Sequence, residues 1–187
     1  MKKQFILLTS LFLFLGLHVI NAQATQQECT IKYNLFKGDY QSKKYDDAFP
    51  NWIYLMDNCP TLSINIYKLG DKLTEARFKK ATNKTEALVL VKRVYKQRLE
   101  YFPSEDPAKV HSDYATFLVK NKLATDDEVF EILELAYSID PTRMGVKNIY
   151  RYFQGITDAN KDINPQKVFD TYDDVLEAVG EKLDNYA

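Results

Sequence analysis

Residues 44–60, KYDDAFPNWIYLMDNCP, carry a spacing that returns twice, in 87–103, ALVLVKRVYKQRLEYFP, and in 125–141, TDDEVFEILELAYSIDP. Counted back from the closing proline, the three stretches align as Ala48, Trp52, Leu55, Pro60, then Val91, Tyr95, Arg98, Pro103, then Val129, Leu133, Ala136, Pro141. The steps are four, three and five residues each time. Steps of four and three stack side chains on one face of an α-helix. A proline soon after cannot continue that helix, because it lacks the amide and its ring clashes with the preceding turn. The prolines lie 43 and 38 residues apart. That is room for two helices per unit, and a period of this size marks a helical repeat.

Working outward, the same periodicity fills the rest of the chain. Helices are expected over 31–42, 44–58, 62–80, 85–101, 107–121, 126–139, 143–157 and 165–185, none with strand-like alternation. Six Gly and six Pro in 187 residues disfavour a turn-dense all-β fold, whereas 13 Tyr and 11 Phe can fill a sizeable core. Thr125 and Glu128 form a capping box, and Asn164 precedes a proline at the first helical position. Linkers are short and no Gly/Ser-rich tract interrupts them, so the chain reads as one domain of antiparallel helical hairpins.

This pattern resembles the tetratricopeptide repeat, in which a small residue at the helix crossing, a large one a turn later and a second small one precede a terminating proline. Ile66, Leu69, Gly70 and Leu73 match the family's first helix in the second unit, with Leu73 in place of an aromatic. Tyr114, Ala115 and Leu118 match more loosely in the third unit, as do Tyr33, Phe36 and Tyr40 in the first, where the glycine is missing. Arg98 stands where a small residue belongs, and the fourth helix pair lacks the closing proline. The units exceed the family's usual length of about 34 residues, so the excess is expected in the turns. The resemblance covers about residues 30–187. It implies an all-α, right-handed α-solenoid of about four antiparallel hairpins whose first helices line a concave groove. Carried over by position, the groove-facing candidates are Tyr67, Asp71 and Thr74, then Lys109, Ser112 and Thr116, then Asn148 and Tyr152. Such grooves hold extended or helical protein segments. The implied function is therefore a non-enzymatic scaffold that binds a protein or peptide. The alternative is an accessory, non-catalytic domain of a cell-envelope enzyme or secretion machine.

Residues 1–24 read as a signal peptide. Lys2 and Lys3 precede an apolar run over 5–17, interrupted by Thr9 and Ser10 and too short for a comfortable membrane span. Ala22-Gln23-Ala24 offers a small-x-small cleavage pattern, after Ala24 or after Ala22. Residues 25–187 then form an exported helical domain, periplasmic or associated with the outer membrane, with no further transmembrane segment. The exported chain keeps two Cys, an even count where oxidising conditions let disulfides persist. Cys29 opens the first helix and Cys59 closes the second, and in an antiparallel hairpin those ends are neighbours. A Cys29–Cys59 bond is the expectation. The leader, this Cys placement and the Asn58-Cys59-Pro60 ending also look like secreted repeat proteins of Bacteroidota.

Without the leader, 23 basic and 26 acidic side chains remain, which argues against nucleic acid as a partner. The charge is nevertheless polarised. Residues 77–98 hold eight Lys/Arg and one acid, while 105–187 hold 17 acids and nine bases. The basic segment is a candidate contact for an anionic surface. No catalytic site, metal or cofactor is expected. His111 has no clear nucleophile partner, and there is no Gly-rich phosphate loop or Gly-x-Ser-x-Gly. Asp158, Asn160 and Asp162 imitate the start of a calcium loop, but Ile163 stands where its glycine belongs and Phe169 where its bidentate Glu belongs. The last helix has an apolar face running from Val168 to Leu183. It caps the solenoid with its acidic face, or docks on a partner, or the chain is the N-terminal part of a longer solenoid that continues past Ala187.

Overall fold

The computed structural model describes residues 25–184, so the expected leader lies outside the described residues. Each proline-marked stretch ends in the same backbone pattern. The amides of Cys59, Phe102 and Asp140 donate to the carbonyls of Leu55, Arg98 and Ala136 at 2.9, 3.0 and 3.1 Å. Their own carbonyls accept from the amides of Leu62, Glu105 and Arg143 at 3.1, 3.1 and 3.2 Å. The residue before each proline thus closes one helix and opens the turn to the next.

The described residues form eight α-helices and no strand: α1 (Gln26–Gln41), α2 (Tyr45–Asn58), α3 (Asn65–Lys80), α4 (Lys84–Tyr101), α5 (Pro107–Asn121), α6 (Asp126–Ile139), α7 (Val146–Asn160) and α8 (Pro165–Asp184). A 3₁₀ turn over Pro141–Arg143 separates α6 from α7. The helices pack as consecutive pairs, α1/α2, α3/α4, α5/α6 and α7/α8. Each pair meets the next through α2/α3, α4/α5 and α6/α7. Turns inside pairs are three or four residues and those between pairs five or six. The second unit is long through its helices, 16 residues in α3 and 18 in α4, whereas the third has 15 and 14 in α5 and α6. Helix α1 starts earlier than the periodicity suggests, because the Thr25 hydroxyl accepts from the Glu28 amide (3.1 Å) and caps it. Helix α7 starts later, because Asp140 accepts from the Thr142 amide (2.9 Å) and folds the chain into the 3₁₀ turn first.

All nine register residues, from Ala48 to Ala136, are buried. Buried side chains fall into three clusters that follow one another along the chain. The first centres on Trp52, Tyr67 and Leu73, the second on Val91, Tyr95 and Val110, and the third on Ala115, Leu133 and Ile149. Two glycines set how closely neighbouring pairs approach. The Trp52 indole N–H donates to the Ile66 carbonyl (2.8 Å). Its ring lies against Gly70, where a Cβ would come within 2.8 Å of it. Between α6 and α7, a Cβ on Gly155 would meet the Phe130 ring at 2.2 Å.

Cys29 and Cys59 are disulfide-bonded, with Cα atoms 5.9 Å apart, and the bond clasps the start of α1 to the end of α2. The bond is compatible with an oxidising, exported environment. Among the described residues no helix is long and apolar enough to cross a membrane.

Two predictions follow from these contacts. Gly70→Ala drives a methyl group into the Trp52 ring and lowers stability by about 1–3 kcal/mol in urea unfolding. Gly38→Ala, facing open space on α1, raises it by about 0.5–1 kcal/mol. Thiol labelling of denatured, non-reduced protein finds no free thiol. The double variant Cys29→Ser/Cys59→Ser loses about 3–4 kcal/mol, the chain-entropy value for a loop of this size.

Candidate functional site

Arg98 is the one large charged residue in the repeated register, and it is 5% exposed. A buried guanidinium needs a counter-charge. Here that charge is Asp71 on α3, next to Gly70, with Arg98 Nη1 3.5 Å from Asp71 Oδ2. The pairing is incomplete: Asp71 Oδ1 and Arg98 Nε are buried without a hydrogen-bond partner. Burial pushes the Asp71 carboxyl up to about 7; Arg98 and Lys109 pull it down and Asp113 pushes it further up. Lys109 and Asp113 form an i,i+4 pair on α5 (2.7 Å). Tyr95 and Tyr114 flank the cluster with ring centroids 4.8 Å apart. Burial, then the Tyr45 and Asp71 charges, push the Tyr40 hydroxyl up as well. Charged side chains of α3, α4 and α5 thus lie within electrostatic reach of one another.

The first helices of successive pairs also touch sideways. Asn65 Nδ2 donates to the Tyr33 hydroxyl (3.3 Å) between α3 and α1. Lys120 Nζ donates to Glu75 Oε1 (2.7 Å) between α5 and α3, and this bond holds the Glu75 carboxyl below its usual range. Between α7 and α5, Asn148 Nδ2 donates to the Ser112 carbonyl and hydroxyl and to the Thr116 hydroxyl (2.7, 2.9 and 2.8 Å). Arg151 Nη1 donates to Asn148 Oδ1 (2.8 Å) and completes that seam.

The residues carried over from the repeat family divide sharply. Asp71, Lys109 and Thr116 reach solvent. Tyr67, Thr74, Ser112 and Asn148 are buried, which corrects their assignment to an open groove. Tyr67, Gly70 and Thr74 share the α3 face turned toward Trp52. The Tyr67 hydroxyl donates to the Pro60 carbonyl (3.1 Å), and the Thr74 hydroxyl donates to the Gly70 carbonyl (2.9 Å). Ser112 and Asn148 are consumed by the α5–α7 seam. Tyr152 is half-buried, its ring stacked on Tyr137 and Phe130 at 4.1 and 5.8 Å. Arg98, Tyr95, Asp113 and Arg151 were not among the expected site residues. For Arg98 the signal was present, as the departure from a small residue in the register.

His111 is half-buried, and burial lowers its pKa. Asp158 and Asn160, of the calcium-like stretch, belong to the last turn of α7, and Asp158 pairs with Lys161 (3.3 Å). Among the described residues no group of three or more His, Cys, Asp or Glu is placed to hold a metal. Comparison with protein-family models, with curated proteins and with solved structures finds no match to this chain.

The Asp71–Arg98 pair generates a pH prediction. The unfolded chain releases the Asp71 proton near 3.8, the folded protein only at about 7. Between those values folding takes up a proton, so this group's contribution to stability falls as pH rises. Arg98→Leu alone leaves an uncompensated carboxylate at pH 8 and costs about 3–5 kcal/mol there, with a smaller loss at pH 5. Arg98→Leu with Asp71→Asn removes both charges, so it loses less than Arg98→Leu alone at pH 8 and lacks this group's pH slope. Urea unfolding of the three proteins at both pH values measures it.

Proposed function

We propose that the chain is an exported, non-enzymatic scaffold: a right-handed α-solenoid of about four tetratricopeptide-like hairpins that holds a protein segment on the surface of α1, α3, α5 and α7. The lateral row of contacts carries this reading. Tyr33–Asn65, Glu75–Lys120 and Ser112–Asn148 join the first helices of successive pairs edge to edge. A segment lying across them meets one helix after another. The recurrent helix endings support a repeat, and the Cys29–Cys59 bond supports an oxidising compartment. The side chains available to such a segment include polar groups of both signs, Lys109, Asp113, Thr116 and Lys120, and the exposed apolar residues Ile31 and Leu35 of α1 and Val146 and Tyr150 of α7. Hydrogen bonds and charge pairs at the polar groups contribute to its specificity.

A photo-cross-linker at Lys120, exposed on α5, tests the reading in the native compartment, with Glu131, exposed on α6, as the control position. The Lys120 position yields a discrete protein adduct that the Glu131 position does not. Lys109→Glu with Asp113→Lys, which keeps helicity, weakens capture at least about 10-fold, within the range for loss of an interface hot spot. Equal adducts from both positions, or unchanged capture by the folded double variant, contradict the proposal.

A further inference from the structure

A second surface is complementary to a part of the molecule that does not pack against it. A cleft of about 700 Å³ opens between α2, the end of α3 and α4. Phe49, Phe78 and Leu90 line it, and Val89, 64% exposed, stands at its lip. Arg77, Lys80 and Arg93 line it too, with two acids, Asp46 and Glu86; Arg77 pairs with Asp46 (3.5 Å) and Arg93 with Asp57. The guanidinium of Arg77 sits 3.6 Å over the Phe49 ring. Apolar walls with a basic margin fit an amphipathic helix that is acidic beside its apolar stripe.

Helix α8 has that form. Phe169, Tyr172, Leu176 and Leu183 are 66, 48, 52 and 61% exposed. Their spacing, i, i+3, i+7 and i+14, puts them in one narrow stripe. The stripe borders the inward-facing residues Thr171, Val175 and Ala178 on one side. On the other side lie Asp170, Asp173, Asp174, Glu177, Glu181 and Asp184, against two lysines in the whole helix. Helix α8 itself packs on α7 and the 141–143 turn, at the opposite end of the chain from the cleft's helices. Its stripe can enter the cleft of another molecule but not its own.

We propose that the occupant of the α2–α4 cleft is the α8 stripe of a second copy, docked head to tail, with Phe169, Tyr172 and Leu176 as the inserted anchors. Each copy then offers one cleft and one helix, so the contact is heterologous and extends into open chains or rings rather than stopping at a symmetric dimer. The exposed charges at its margin make it sensitive to salt, which screens them over about 10 Å at 0.1 M.

Sedimentation velocity of the purified chain tests this with two one-sided variants, circular dichroism confirming that each is folded. The cleft variant is Val89→Glu with Lys80→Glu; the helix variant is Phe169→Asp with Leu176→Asp. The wild type grows beyond a dimer with concentration and shrinks at high salt. Each variant alone associates at least about 10-fold more weakly, the equivalent of about 1.4 kcal/mol. A mixture of the helix variant, which keeps its cleft, and the cleft variant, which keeps its helix, forms a capped 1:1 dimer. A wild type that stays monomeric overturns the proposal. So does a mixture that stays monomeric while the wild type associates, or a cleft variant that associates as the wild type does. The last result makes α8 a self-pairing helix or the seat of another protein.

Discussion

The Trp52 indole of the first helix pair lies against the bare backbone of Gly70 in the second, and the coupling of those pairs depends on it. The indole N–H reaches the Ile66 carbonyl only because nothing projects from Gly70 between them. That contact turns Tyr67, Gly70 and Thr74 inward and leaves Asp71, the next residue along, facing Arg98. The position of the buried ion pair is therefore a consequence of how α3 seats on α2. Phe130 against Gly155 performs the same coupling between the third and fourth pairs. A methyl group at Gly70 would press on the fully buried Trp52 ring, and one at Gly155 on the Phe130 ring.

The eight helices and most of their ends were legible because the signals are local. Caps at Thr125 and Asn164 and prolines at 60, 103 and 141 act within a few residues of where they sit. The disulfide was legible because helix order alone brings the two ends of a hairpin together. Residues of the groove were less so. Spacing assigns Tyr67, Asp71 and Thr74 to one stretch of helix but does not say which of them faces the neighbour. That is set by the depth of the Trp52–Gly70 approach, a contact between units. Ser112 and Asn148 are hidden for the same kind of reason, since each is the other's partner across 36 residues of sequence.

The structure separates two kinds of surface. Along α1, α3, α5 and α7 lateral hydrogen bonds tie polar groups of both signs together, while α1 and α7 also expose Ile31, Leu35, Val146 and Tyr150. The cleft beside α4 and the stripe on α8 are apolar and bordered by opposite charges. This gives physical content to the charge asymmetry of the chain. The basic excess of 77–98 borders a cavity, and part of the acidic excess of the second half borders an exposed apolar stripe. On the proposed reading, one partner lies along the row of first helices while the cleft and α8 engage copies of the chain.

The central claim is that the hairpins are coupled to their immediate neighbours and not through one shared core. Native-state hydrogen exchange read by mass spectrometry, before and after reduction of Cys29–Cys59, tests this most directly. Loss of amide protection confined to α1 and α2 and fading through α3, with α5 to α8 unchanged, is the predicted result. An equal loss of protection from α1 to α8 would contradict the account, because it would make the chain a single cooperative unit.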